Sequence, residues 1–146
     1  MKIITDLFKK YREIIMYLIF GVSTTAVNWV VYTTLVVLHL AGVTAANAVA
    51  WVCAVLFAFV TNKLFVFQSH TAGFISVLKE AVTFFGARIF SGLFEIFLPT
   101  LLISLGLDGK LFGIDGFVAK AIVSILIIIM NYVLSKLIVF RNKDKK

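Results

Sequence analysis

A chain of 146 residues that is 62% hydrophobic and 14% charged, with mean hydropathy +1.07, carries more apolar surface than one water-soluble core of that length can hide. The expected class is therefore an all-α integral membrane protein. The net charge of +7 invites a nucleic-acid reading, but the placement of the charge argues against it. Lys2, Lys9, Lys10 and Arg12 precede or open the first apolar run, Lys63 and Lys79 separate the second from the third, and Lys136, Arg141, Lys143, Lys145 and Lys146 close the chain. Only Arg88, Lys110 and Lys120 lie elsewhere. This bias of positive charge to one side of the apolar runs predicts that both termini face the cytoplasm.

Spanning a hydrocarbon layer of about 30 Å takes roughly 20 apolar residues in a helix. Four stretches qualify, at about 14–38, 43–62, 81–105 and 117–135, and they predict a single domain over 1–146 made of two helical hairpins. Residues 2–15 place Ile4, Leu7, Phe8, Tyr11, Ile14 and Ile15 on one helical face, which predicts an amphipathic helix lying in the headgroup layer. The apolar run that follows is too long for the roughly 7–15 residue core of a signal peptide. It is read as a span.

The first span carries Gly21, Thr24, Thr25, Asn28 and Tyr32 at helical spacing, with Asn28 deepest. Such groups either hydrogen-bond a neighbouring helix or face cargo. In the connection His39-Leu40-Ala41-Gly42-Val43-Thr44, Gly42 is suited to stop one helix and Thr44 to cap the next. No second His lies near enough in sequence to His39 to suggest a metal site. The second span has Ala46, Ala50, Ala54 and Ala58 every four residues, a strip for close packing, flanked by Asn47 and Trp51. Lys63 at its end is expected to snorkel to the membrane surface. Cys53 is a small apolar filler, and a lone cysteine has no internal disulfide partner.

Residues 68–73 form a polar connection, and 74–79 read as a short interfacial approach to the third span. Within that span Arg88 and Glu95, seven residues apart, share a helical face with Ser91 and Gly92 between them, and Pro99 removes the hydrogen bond to the Glu95 carbonyl. A charged side chain at mid-bilayer costs about 2.5–3.5 kcal/mol on insertion scales. Packing alone is a poor reason to meet that cost twice. The bland alternative is an internal Arg88–Glu95 ion pair. The Gly-rich connection at 106–116 contains Leu111 and Phe112, which would let it dip into the interface, and the fourth span carries Lys120, Ser124, Asn131 and Ser135 as a polar stripe.

The chain also reads as one unit written twice. Asn62-Lys63-Leu64-Phe65-Val66-Phe67 and Ser135-Lys136-Leu137-Ile138-Val139-Phe140 each close an apolar run, and Ala46-Asn47-Ala48 precedes the first copy by the same interval at which Ala119-Lys120-Ala121 precedes the second. Phe20-Gly21 matches Phe85-Gly86. Both motif copies end helices running in the same direction. The two hairpins are therefore parallel repeats, related by an axis along the membrane normal.

These motifs, together with Phe84-Phe85-Gly86-Ala87-Arg88 and Asn131-Tyr132-Val133-Leu134, resemble the GtrA-like family over residues 14–141, in particular its GtcA-type branch linked to teichoic-acid glycosylation. The second motif copy departs from the family pattern in having Ser135 for Asn and Ile138 for an aromatic residue. The resemblance implies a multi-pass protein of the bacterial inner membrane that moves a polyprenyl-phosphate-linked sugar between leaflets for a membrane glycosyltransferase. Arg88 is the natural phosphate partner under this reading. Glu95, Asn28, Asn47, Asn62 and Asn131 would meet sugar hydroxyls, and Lys63, Lys136 and Lys120 would hold phosphate at the two surfaces.

No Gly-rich phosphate loop and no Ser/His/Asp or Cys/His set is present, so neither ATP use nor enzymatic catalysis is expected, and no cofactor. Two rival readings are a non-transporting scaffold for a glycosyltransferase and a small proton-coupled exporter. An exporter of that kind carries its acid in the first span, not beside an Arg in the third. Four helices give little room to enclose a groove, and a homo-oligomer is one way to complete it.

Overall fold

The computed structural model describes residues 2–70, 72–107, 109 and 116–141, the side chains of 2–9 excepted. Among them the regular elements are helical: α1 (Lys2–Val37), α2 (Val43–Thr61), α3 (Phe74–Ser104) and α4 (Phe117–Leu134). Four segments are long and apolar enough to cross a membrane, at Lys10–Val37, Val43–Val66, Phe74–Ser104 and Phe117–Val139. At 1.5 Å per residue the 28 residues of the first reach about 42 Å, more than the hydrocarbon thickness. The chain divides into two compact units, residues 1–71 and 72–146. Each is a pair of helices.

In the first unit the alanine strip is the packing face. Ala46 and Ala50 are fully buried, and Ala54 and Ala58 nearly so, because a residue without a side chain beyond Cβ lets α1 and α2 approach closely where no hydrophobic effect drives them together. Tyr17 is buried on α1 and lies 6.5 Å, centroid to centroid, from Phe67, while Phe20 stacks on Phe65 at 5.3 Å. The aromatic residues of the first motif thus fasten the end of the second helix to the first. In the second unit Ala119, Val123 and Ile127 repeat the four-residue spacing as buried residues of α4, and fully buried Phe84 packs on Phe140 at 5.9 Å.

Both motif copies leave the α-helical pattern at the same register. Asn62–Val66 and Ser135–Val139 form π-helical turns, closed by Phe67 N–H to the Asn62 carbonyl (2.9 Å) and Phe140 N–H to the Ser135 carbonyl (2.8 Å). In the first copy the preceding turn is also bonded by side chains: the Ala58 carbonyl accepts from Thr61 Oγ1 (3.2 Å), from Asn62 Nδ2 (2.7 Å) and from the Asn62 backbone N–H.

Several boundaries differ from the sequence expectation. Residues 2–15 and the first span form one continuous helix, and 74–79 belong to α3. Thr44 is not a cap: Gly42 takes that position, with no side-chain cap bond. The left-handed residue that ends α1 is His39 (φ 54°), held by His39 N–H to the Val36 carbonyl (3.1 Å) and Leu40 N–H to the Leu35 carbonyl (3.0 Å). That is the bonding pattern a glycine normally completes, and His tolerates this region better than most residues do. Gly116 opens α4 in the left-handed region (φ 70°), which side chains disfavour, and a Cβ there would also meet Ile103 Cδ1 at 2.7 Å. The interfacial dip expected of Leu111 and Phe112 lies outside the described residues.

Replacing Ala50 by Leu should push α1 and α2 apart and lower the stability of the detergent-solubilised protein by about 1–3 kcal/mol. A thermal midpoint unchanged from wild type would show that this strip is not the packing face.

Candidate functional site

The polar residues of the second unit gather along α3 and α4. Arg88 is half-buried and its guanidinium carbon sits 4.7 Å from the centroid of the Phe84 ring, one turn back on the same helix. The ring is itself immobilised, being fully buried against Phe140. It offers the guanidinium a cation–π platform without consuming its N–H donors. No carboxylate pairs with Arg88 among the described residues. Ser91, 2% exposed, uses its hydroxyl on the Arg88 carbonyl (3.1 Å) and adds no acceptor for the guanidinium.

Glu95 is not the partner of Arg88. The two stand about 10 Å apart along the helix axis, and the Glu95 Oε1 instead accepts a 3.1 Å charged hydrogen bond from Lys120 Nζ on α4. The expectation of an Arg88–Glu95 ion pair as the bland alternative is thereby corrected: the carboxylate is neutralised across the helix pair, and the guanidinium is left over. Both members of the Lys120–Glu95 pair are open, with side chains 55% and 45% exposed. Lys120, expected to hold phosphate at a surface, is thus engaged by a carboxylate inside a span. Further along α4, the Oδ1 of half-buried Asn131 is buried without a hydrogen-bond partner among the described residues. Lys136 is exposed and reaches Tyr132, with Nζ 3.1 Å from its hydroxyl.

In the first unit Thr61, Asn62 and Lys63 are three consecutive buried polar residues at the π turn. Asn62 donates from Nδ2 to the Ala58 carbonyl. A carbonyl can only accept, which fixes the amide orientation and leaves Oδ1 as the other amide atom. That oxygen is buried and has no hydrogen-bond partner among the described residues. Lys63 does not snorkel. It is 9% exposed and donates to Ser69 Oγ (3.3 Å), because the chain folds back after Gln68 (φ 48°) and Ser69 N–H bonds the Lys63 carbonyl (2.8 Å). Asn28 is half-buried on α1, and Asn47 is exposed near the start of α2. Neither joins a polar cluster among the described residues of its unit.

Sequence reasoning missed three contacts: Lys120 on Glu95, Ser69 on Lys63, and Phe84 under Arg88. The first had a signal, since a lysine at the start of one hairpin helix and a carboxylate in the other are of opposite sign and close to the same connection. Among the described residues no group of three His, Cys, Asp or Glu comes together.

The different settings of the paired lysines lead to a direct check. Acylation of exposed amines in the solubilised protein, followed by peptide mass spectrometry, should label Lys136 at least about tenfold faster than Lys63, whose ammonium is desolvated and held. Equal rates would contradict the buried placement of Lys63.

Comparison with known proteins bears on what this arrangement serves. The chain is 40% identical over 131 residues to the "Uncharacterized membrane protein YwcD" of Bacillus subtilis (strain 168), covering 90% of this chain and 98% of that protein. It is 35% identical over 132 residues to the "Cell wall teichoic acid glycosylation protein GtcA" of Listeria monocytogenes serovar 1/2a, covering 90% and 87% respectively. It is 38% identical over 130 residues to the protein of the same name from Listeria innocua serovar 6a, covering 89% and 86%. No solved structure matches it significantly. The profile of the family described as "GtrA/DPMS, transmembrane domain" matches residues 16–140, and with four membrane-crossing helices over that same range this multi-pass membrane protein belongs to the GtrA/DPMS transmembrane-domain family.

Proposed function

We propose that the protein carries a polyprenyl-phosphate-linked sugar from the cytoplasmic to the outer leaflet of a bacterial cytoplasmic membrane, where a membrane glycosyltransferase uses it to decorate teichoic acid or another cell-surface polymer. The observation that carries this reading is Arg88. It is a guanidinium inside a membrane-spanning helix, and the carboxylate that shares its face, Glu95, is already neutralised by Lys120.

An excess positive charge in hydrocarbon is stabilised by an anion that comes and goes, and a phosphodiester offers the oxygens that a planar guanidinium fork binds in pairs. The sugar must exchange its water for fixed polar groups, while the polyprenyl tail remains in lipid. The side-chain amides of Asn28, Asn47, Asn62 and Asn131 supply polar groups along the spans that suit sugar hydroxyls. Lys136, exposed at the end of α4 where positive charge of the chain concentrates, suits phosphate arriving from the cytoplasmic surface, whereas Lys63 is buried and held by Ser69. Relatives named for teichoic-acid glycosylation support the same direction. Consumption of the sugar outside supplies the gradient.

The scaffold reading draws on one specific observation, the exposure of the Lys120–Glu95 pair, which would also suit a protein interface.

Cells lacking their own homologue and supplied with this chain separate the two. Arg88→Ala should reduce surface glycosylation about 10- to 100-fold, the loss expected for a charged hydrogen-bond pair of about 1.5–3 kcal/mol, with the protein still present in the membrane. Arg88→Lys should retain part of it, since the charge survives without the fork. Full glycosylation with Arg88→Ala would remove Arg88 from the site, and unchanged capture of the glycosyltransferase alongside it would favour the scaffold.

A further inference from the structure

Building on the carrier reading, we infer that Glu95 is a stand-in anion: it holds Lys120 while the site is empty and yields Lys120 to the cargo phosphate when the site is filled. Three observations meet here. Lys120 Nζ and Glu95 Oε1 lie 3.1 Å apart, so the ammonium is occupied. Both side chains are about half exposed, so a second anion can reach the ammonium without displacing packed protein. Arg88 stands on the face of α3 that bears Glu95, two turns away, with no carboxylate partner among the described residues. It is the position where an incoming phosphate meets no competitor.

The sequence of events follows from charge. A phosphate seated on Arg88 brings negative charge to within about 10 Å of Glu95, and in a low-dielectric span that distance is felt. The Glu95 carboxylate is disfavoured as a neighbour, and the phosphate competes for the ammonium. A lysine suits this exchange because its ammonium is a compact charge on a flexible stem with no required bonding plane, whereas a guanidinium fork would tie it to one geometry. Glu95 then serves two ends. It keeps Lys120 from standing as a second unpaired cation in hydrocarbon, and it recaptures Lys120 to release the phosphate. Arg88 and Lys120 are the binding groups, and Glu95 is a positioning residue that sets how long the cargo stays.

The test compares binding with movement. A short-chain polyprenyl monophosphate is titrated into the purified, detergent-solubilised full chain and bound fractions are read by native mass spectrometry, with inorganic phosphate as a second arm to separate lipid-linked from free phosphate. Glu95→Gln should lower Kd for the lipid phosphate about three- to tenfold, because the ammonium no longer has a resident partner. Lys120→Met should raise it, and in the Lys120→Met background Glu95→Gln should bring no gain. Glu95→Asp, whose shorter carboxylate withdraws from Lys120, is the second variant should Glu95→Gln not fold, and it should move Kd in the same direction. In liposomes, Glu95→Gln should lower both KM and the maximal rate of leaflet exchange, a split that a merely structural role would not produce. Unchanged or weaker lipid-phosphate binding by both Glu95 variants, or an equal gain in the Lys120→Met background, would overturn the assignment. Tighter binding of inorganic phosphate alone would also overturn it as a role toward lipid-linked cargo. Absence of leaflet exchange by the wild type would defeat the carrier reading, while the binding comparison would still decide the role of Glu95.

Discussion

The structure turns on one ion pair and what it leaves behind. Lys120 neutralises Glu95 across α3 and α4, so the acid and the base deep in the third span, Glu95 and Arg88, do not satisfy each other. The base that remains, Arg88, is supported by an aromatic ring that does not consume its N–H donors, and it has no carboxylate partner among the described residues. Each charge in a membrane helix costs about 2.5–3.5 kcal/mol on insertion scales, and an Arg88–Glu95 pair on a single helix would have been the simplest way to reduce it. A second cation recruited from the neighbouring helix means that the α3–α4 pair carries one net positive charge along its spans. The proposed binding of an anion rests on this property.

The same economy appears at the ends of α2 and α4. Each motif copy finishes its helix in a π turn, and each turn places an aromatic residue back onto the partner helix: Phe67 beside Tyr17 in one unit, Phe140 beside Phe84 in the other. The two copies are not equal, however. In the first, Thr61, Asn62 and Lys63 are all buried and Ser69 holds the lysine; in the second, Ser135 is buried and Lys136 is exposed beside Tyr132. Substitution of Asn by Ser at the head of the second motif removes the amide that in the first copy donates to the preceding turn and has a buried Oδ1 with no hydrogen-bond partner among the described residues. The second unit has such an acceptor too, but one turn earlier, on Asn131.

Much of the architecture was legible because the bilayer imposes lengths and because backbone groups must be satisfied within each helix. Apolar run length gave the four spans, and the alanine spacing gave the packing face of α2. Two kinds of feature were not legible. Where a local rule had competitors, the sequence was ambiguous: Gly42 and His39 both lay in one connection, and the left-handed position fell to His39, while no Gly or Pro separated the amphipathic start from the first span, so they merged. Where a contact depended on the rotation of one helix against another, periodicity on a single helix was silent. Arg88 and Glu95 share a face by spacing alone, and it took the placement of α4 to show that Glu95 looks to Lys120. Lys63 was misjudged for a related reason, since burial came from the chain folding back at Gln68 to bring Ser69 within reach.

An uncommitted guanidinium in a membrane helix is the claim on which the functional account rests, and leaflet exchange by the isolated protein tests it most directly. Liposomes holding only the purified wild-type chain and a labelled polyprenyl-phosphate-linked sugar would be assayed for the fraction of label reachable from outside over time. The account requires that fraction to rise well above that of protein-free liposomes. Exchange no faster than in bare lipid, with the protein folded and inserted, would contradict it.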